Sequence, residues 1–93
     1  MKNLTQFNII MKDETFGLIP RLKNHNYEIY HDEIRILFEL FIEFKDDLYS
    51  KNPINKEVIP TMFELISELY ESKDSDLIQL ASDLVDIIVN KGI

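Results

Sequence analysis

From residue 34 onward the apolar side chains recur with a helical period. Ile34, Leu37, Phe38, Phe41, then Phe44 or Lys45, and Leu48 share one face. Opposite them Arg35, Glu39, Glu43 and Asp46 follow at i, i+4, i+8 and i+11, a single narrow stripe. A strand would alternate every second residue, and these carboxylates do not. Asp32 and Glu33 stand where the positive end of a helix favours negative charge, and Ser50-Lys51-Asn52-Pro53 stop the helix.

A second helix runs through "KEVIPTMFELISELYES". Val58 or Ile59, Met62, Ile66, Leu69 and Tyr70 form its apolar face, and Glu57, Thr61, Glu64, Glu68 and Glu71 its polar stripe. Asn55 is a candidate cap. Pro60 leaves two starts open: at Pro60 itself, where a missing N–H costs nothing, or near Lys56 with a bend. A third helix follows "SKDSD", capped by Asp74 or Ser75. Leu77, Leu80 or Ala81, Leu84, Val85 and Ile88 are its core face, and Asp76, Gln79, Asp83, Asp86 and Asn90 its wet face. Lys91 and Gly92 suit its end.

The first thirty residues carry a weaker pattern. Leu4, Phe7, Ile10 and Met11 fit a short helix; Thr5, Phe7, Ile9 and Met11 fit a strand. Helix is preferred, because no other segment offers a strand to pair with. Asp13 or Thr15 is the expected start of a second short helix, limited by Gly17 and Pro20 and ended by "KNHN". The expectation is an all-α fold, a small antiparallel bundle of four to five helices, with residues 1–93 as one domain. Phe38-Glu39-Leu40 echoes Phe63-Glu64-Leu65; similar helices of one bundle explain this, with a short stacked helical array as the variant.

Burying one Leu or Phe contributes roughly 1.5–3 kcal/mol, so packing outweighs any surface charge and sets the fold. Phe38, Phe41, Phe44 and Phe63 are therefore read as core. Tyr27, Tyr30, Tyr49 and Tyr70 sit near helix ends, where a ring with one wet edge suits either the rim of a core or a binding surface. Ile36, Leu40 and Ile42 exceed what one face can bury, which makes self-association, as a homodimer for example, the alternative to a binding role.

Charge narrows the partners. The net charge is −7. Lys2, Lys12, Arg21 and Lys23 outweigh Asp13, Glu14 and Glu28 in residues 1–30, so the acidity lies beyond residue 30. Such a chain repels nucleic acid and anionic lipid and attracts basic protein. The like-charge pairs Glu39/Glu43, Glu64/Glu68 and Asp83/Asp86 each cost about 0.2–0.5 kcal/mol. Stability alone would favour a lysine in one place of each pair.

Chemistry is sparse. There is no cysteine, hence no thiol nucleophile and no disulfide framework. The sequence has no H-E-x-x-H, phosphate-binding loop, G-x-S-x-G or dinucleotide fingerprint. His31, Asp32 and Glu33 are adjacent on a helix start and do not converge on one ion; His25 lies in a loop. Catalytic, cofactor and metal sites are all expected to be absent. No run reads as a secretory leader or a membrane span, so a cytoplasmic location is expected.

The stretch "DEIRILFELFIEFKDDLYSKNPINKEVIPTMFELISEL" combines an acidic start (Asp32, Glu33), an apolar helix with Glu39-Leu40, an acidic exit Asp46-Asp47-Leu48-Tyr49, and a restart at Asn55-Lys56-Glu57. In these features, over less than half its length, the chain resembles small bacterial immunity proteins that neutralise polymorphic or contact-dependent growth-inhibition toxins. The resemblance implies a small soluble inhibitor, not an enzyme, that blocks a toxin domain, often a basic nuclease. It assigns partner contacts to Glu39, Glu43, Asp46, Asp47 and Tyr49. The helix pattern alone adds Glu64, Glu68 and Glu71.

Overall fold

The buried line Leu37, Leu40, Phe41 and Phe44 turns one side of a long helix inward, into a core that four more helices share. The structure is a computed structural model that describes residues 4–45 and 55–90. Its helices are α1 (Leu4–Lys12), α2 (Leu18–Lys23), α3 (His31–Lys45), α4 (Asn55–Glu71) and α5 (Ser75–Val89). The fold is an all-α bundle. The principal contacts form a circuit: α4 packs on α5, α5 on α3, α3 on α1, α1 on α2, and α2 back on α4. Consecutive α3 and α4 are thus not principal neighbours.

One core joins all five helices. Phe7 and Met11 of α1, Leu18, Ile19 and Leu22 of α2, and the α3 line meet Met62, Leu65 and Leu69 of α4 and Leu80, Ala81 and Leu84 of α5. Phe7 and Phe44 touch edge to face, with ring centres 5.2 Å apart, a geometry that aromatic quadrupoles favour. Leu40 is buried and Ile36 half-buried, so of the three apolar residues expected to exceed the core only Ile42 is exposed.

Between α1 and α2 the chain departs from expectation. Asp13 starts no helix. Its carboxylate accepts the N–H groups of Thr15, at 3.1 Å, and Phe16, at 2.9 Å, closing a turn. Gly17 then passes so close to the Asp13 backbone that a Cβ there would lie 2.5 Å from its nitrogen. Only glycine fits, and α2 begins immediately after it. Pro20 stands in the first turn of α2, where its missing N–H is not needed. Gly17 and Pro20 therefore mark the start of this helix, not its limit. At its far end Asn26 N–H reaches the Arg21 carbonyl and His25 N–H the Leu22 carbonyl, with His25 at φ 61°. This is a Schellman closure in which histidine occupies the usual glycine place.

Helix α3 is fastened at its start by Glu33. Its carboxylate accepts the Tyr30 N–H at 3.1 Å, half of a capping box, and also pairs with Arg21 of α2. Helix α4 starts at Asn55 and carries Pro60 inside it. The next residue, Thr61, was expected on the wet face but is buried, 2% exposed. Its hydroxyl donates to the Glu57 carbonyl at 2.9 Å, so its polar group is satisfied within the helix and its methyl can face inward. Phe63, expected in the core, is 49% exposed.

Helix α5 is capped by Asp74, not Ser75. The Asp74 carboxylate accepts the N–H groups of Asp76, at 2.9 Å, and Leu77, at 3.3 Å. Asp74→Ala is expected to cost about 1 kcal/mol, and Asp74→Asn much less, because asparagine keeps the acceptor. Urea denaturation of the two variants checks this; equal losses would show that the cap contributes little.

Candidate functional site

The α3 carboxylates sit on a flank set by packing. With the core side fixed by Leu37, Leu40, Phe41 and Phe44, a period of 3.6 residues carries Ile36, Glu39 and Glu43 along the edge of α3 that borders α1. Glu39 is exposed and pairs with Arg35 at 3.1 Å. An exposed pair of this kind contributes about 0.3–0.5 kcal/mol and leaves the carboxylate accessible. Glu43 is half-buried on the same edge.

Beside that edge lies an apolar groove of about 270 Å³. Ile9 and Ile10 of α1, Phe16 of the Asp13 turn and Ile36 of α3 line it, with Gln6 and Glu33. Ile9 is 61% and Phe16 75% exposed. The Asp13 carboxylate holds the amide of Phe16 and so fixes where this aromatic ring emerges. Large apolar side chains held outward beside carboxylates form the kind of surface on which a partner can bury anchors inside a polar rim.

The α4 carboxylates have different surroundings. Glu64 accepts from Lys23 of α2 at 3.2 Å. Glu68 and Glu71 line a cleft of about 210 Å³ with Leu22, Lys23, His25, Tyr27 and Ser72. The basic end of α2 thus comes against the α4 stripe and partly offsets it. The structure brings Glu39 and Glu43 together on the α1 side of α3, and Glu64, Glu68 and Glu71 together on the α2 side of α4. Asp46, Asp47 and Tyr49 lie outside the described residues.

A third acidic place has no counterpart in the helix pattern. Glu28 and Ile29 of the α2–α3 loop, Ile34 of α3, and Asp74, Asp76, Leu77 and Leu80 at the start of α5 surround a cleft of about 350 Å³, with Tyr27 at its side. Its members come from two stretches far apart in the chain, residues 27–34 and 74–80. The capping role of Asp74, the wet-face position of Asp76 and the apolar-face positions of Ile34, Leu77 and Leu80 were legible locally; their meeting with Glu28 was not. Arg21 fixes the loop by donating to the Glu28 carbonyl at 3.1 Å.

Among the described residues no three His, Cys, Asp or Glu side chains gather where they could hold a metal ion. No helix among them is long and apolar enough to cross a membrane. No protein-family model matches this sequence, and no curated protein and no solved structure matches it.

Proposed function

We propose that this chain is an inhibitory binding protein of the immunity type. It acts in the cytoplasm, without catalysis of its own, by covering the cationic active site of a basic toxin domain such as a nuclease. The observation that carries this reading is the edge of α3 on which Glu39 and Glu43 stand in line with Ile36, beside a groove that exposes Ile9 and Phe16. Carboxylates on such an edge steer a basic partner toward it and fix its register. The apolar groove supplies the buried contacts that hold it. The same edge answers why the chain tolerates adjacent like charges on α3: a Lys at either place would weaken attraction to a cationic surface.

The test is coexpression with the product of the neighbouring reading frame, which this reading expects to be a basic toxin domain, followed by titration calorimetry on the purified pair. The double variant Glu39→Lys/Glu43→Lys is expected to fold normally and to bind about tenfold more weakly, close to 1.4 kcal/mol. Phe16→Ala, which removes a side chain that packs little in the free protein, is expected to shorten the lifetime of the complex with little change in association rate. Unaltered binding and protection by all of these variants would exclude the α1–α3 face as the contact.

A further inference from the structure

The α1–α3 face joins two halves of unlike charge. Helix α1 has no carboxylate and carries Lys12 in its last turn. Lys12 is exposed and, among the described residues, forms no ion pair. The neighbouring edge of α3 carries Glu39 and Glu43. Between the halves lies the groove beside which Ile9 and Phe16 are exposed. We infer that a second copy of this chain covers this face when no toxin is bound, in a two-fold dimer that sets α1 of each copy against α3 of the other.

Helices α1 and α3 run in opposite directions: Phe7 early in α1 meets Phe44 late in α3, whereas Ile9 and Ile10 share the groove with Ile36. A two-fold axis along the groove exchanges the two helices, so α1 of one copy lies antiparallel to α3 of the other. Each contact then occurs twice, as a two-fold interface requires. Lys12 of each copy is set toward the Glu39–Glu43 edge of its neighbour, so the cationic half of one face meets the anionic half of the other. The Phe16 ring, 75% exposed at the rim, enters the groove of the second copy. At about 270 Å³ that groove lies just below the roughly 300–1,000 Å³ of sites for drug-sized ligands, a size suited to one aromatic side chain.

Charge also says why this face, and not another, meets its own copy. After residue 30 the chain has fourteen acidic and six basic side chains. Helix α5 carries Asp76, Asp83 and Asp86 and no cation, so pairing through it sets like charges together. The α1–α3 face alone supplies an unpaired lysine on one helix and carboxylates on the next. Area agrees. A standard interface takes roughly 800 Å² from each partner, a modest share of the 5945 Å² that the chain exposes. A chain of this length buries only about 60–65% of its unfolded surface on folding alone, so further cover stabilises it. Because this face is the one read above as the toxin contact, toxin and second copy compete for it. That competition rests on the proposed function; the dimer does not.

Sedimentation of the full chain alone, from about 1 μM to about 1 mM, brackets weak association. A monomer–dimer equilibrium is expected with Kd of about 10–100 μM, as for small transient interfaces. Lys12→Glu and Glu39→Lys are each expected to weaken the dimer about tenfold, because a reversal is felt at both symmetric contacts. Mixed in equal amounts, the two variants are expected to associate as the parent chain does. In the mixed pair both contacts join opposite charges, a rescue that apolar stickiness alone does not produce. Phe16→Ala is expected to weaken the dimer by tenfold or more and to leave thermal unfolding at low concentration unchanged. A strict monomer up to 1 mM, a dimer indifferent to Phe16→Ala, or a mixture no more associated than its components would overturn the assignment. A monomer that still binds a toxin through Glu39 and Glu43 would overturn the dimer alone. A toxin complex that retains two paired copies would overturn the competition.

Discussion

Phe44→Ala is expected to destabilise the domain by about 3–5 kcal/mol, the usual cost of removing a fully buried aromatic ring. Phe44 is completely buried at the junction of α3 with α1, edge-on to Phe7. Both the transfer of its ring and the contact with Phe7 are lost together, and the backbone of a five-helix circuit cannot collapse into the gap without moving α1. A chain of this size has a total stability of roughly 5–14 kcal/mol, so the variant loses about a fifth or more of what it has. Phe44→Leu, which keeps most of the volume, should cost much less. Urea unfolding followed by circular dichroism measures both. A loss below about 1.5 kcal/mol for the alanine variant would mean that α1 is not held on α3 by this ring pair.

Arg21→Ala is expected to cost about 2–3 kcal/mol, within the range of hydrogen bonds to charged groups. The guanidinium ties α2 to the Glu28 carbonyl of the following loop and to the Glu33 carboxylate at the start of α3. Both side chains are largely shielded, at 13% and 22% exposed. Removing the cation leaves Glu33 with the Tyr30 N–H as its remaining partner. Part of the loss is offset, because the Arg21 Nε is itself buried without a hydrogen-bond partner. Arg21→Lys restores charge but not the fork, so it should recover less than half of the stability. Glu33→Gln keeps an acceptor for Tyr30 while removing the ion pair. The double variant Arg21→Ala/Glu33→Gln should therefore cost less than the sum of its parts. Additive losses would show that the two groups act independently.

The long helices were legible because their apolar residues keep a 3.6 period over three or more turns, and the buried residues of α5 fall on its expected face. Two positions on α4 show what hydropathy alone misses. Thr61 has buried Val58 and Leu65 one turn away on either side, whereas Phe63 has exposed Pro60 and Ser67. Position on the wheel decided burial, and the polar group of Thr61 was no obstacle because the helix backbone accepts its proton. The start of α2 was not legible, since it depends on how closely Gly17 passes Asp13, a steric fact without a periodic signature. In the candidate site the placing of Glu39 and Glu43 on one side of α3 could be read directly. The offset of Glu64 by Lys23, and the meeting of Glu28 with Asp74 and Asp76, arise only when segments distant in sequence pack together.

Chemical-shift mapping of the labelled chain, free and saturated with the basic toxin domain that the proposed function expects as its partner, most directly tests whether the α1–α3 face is the inhibitory surface. The largest changes are predicted at Ile9, Phe16, Ile36, Glu39 and Glu43. Changes confined to α4 and α5, or no complex at all, would contradict it.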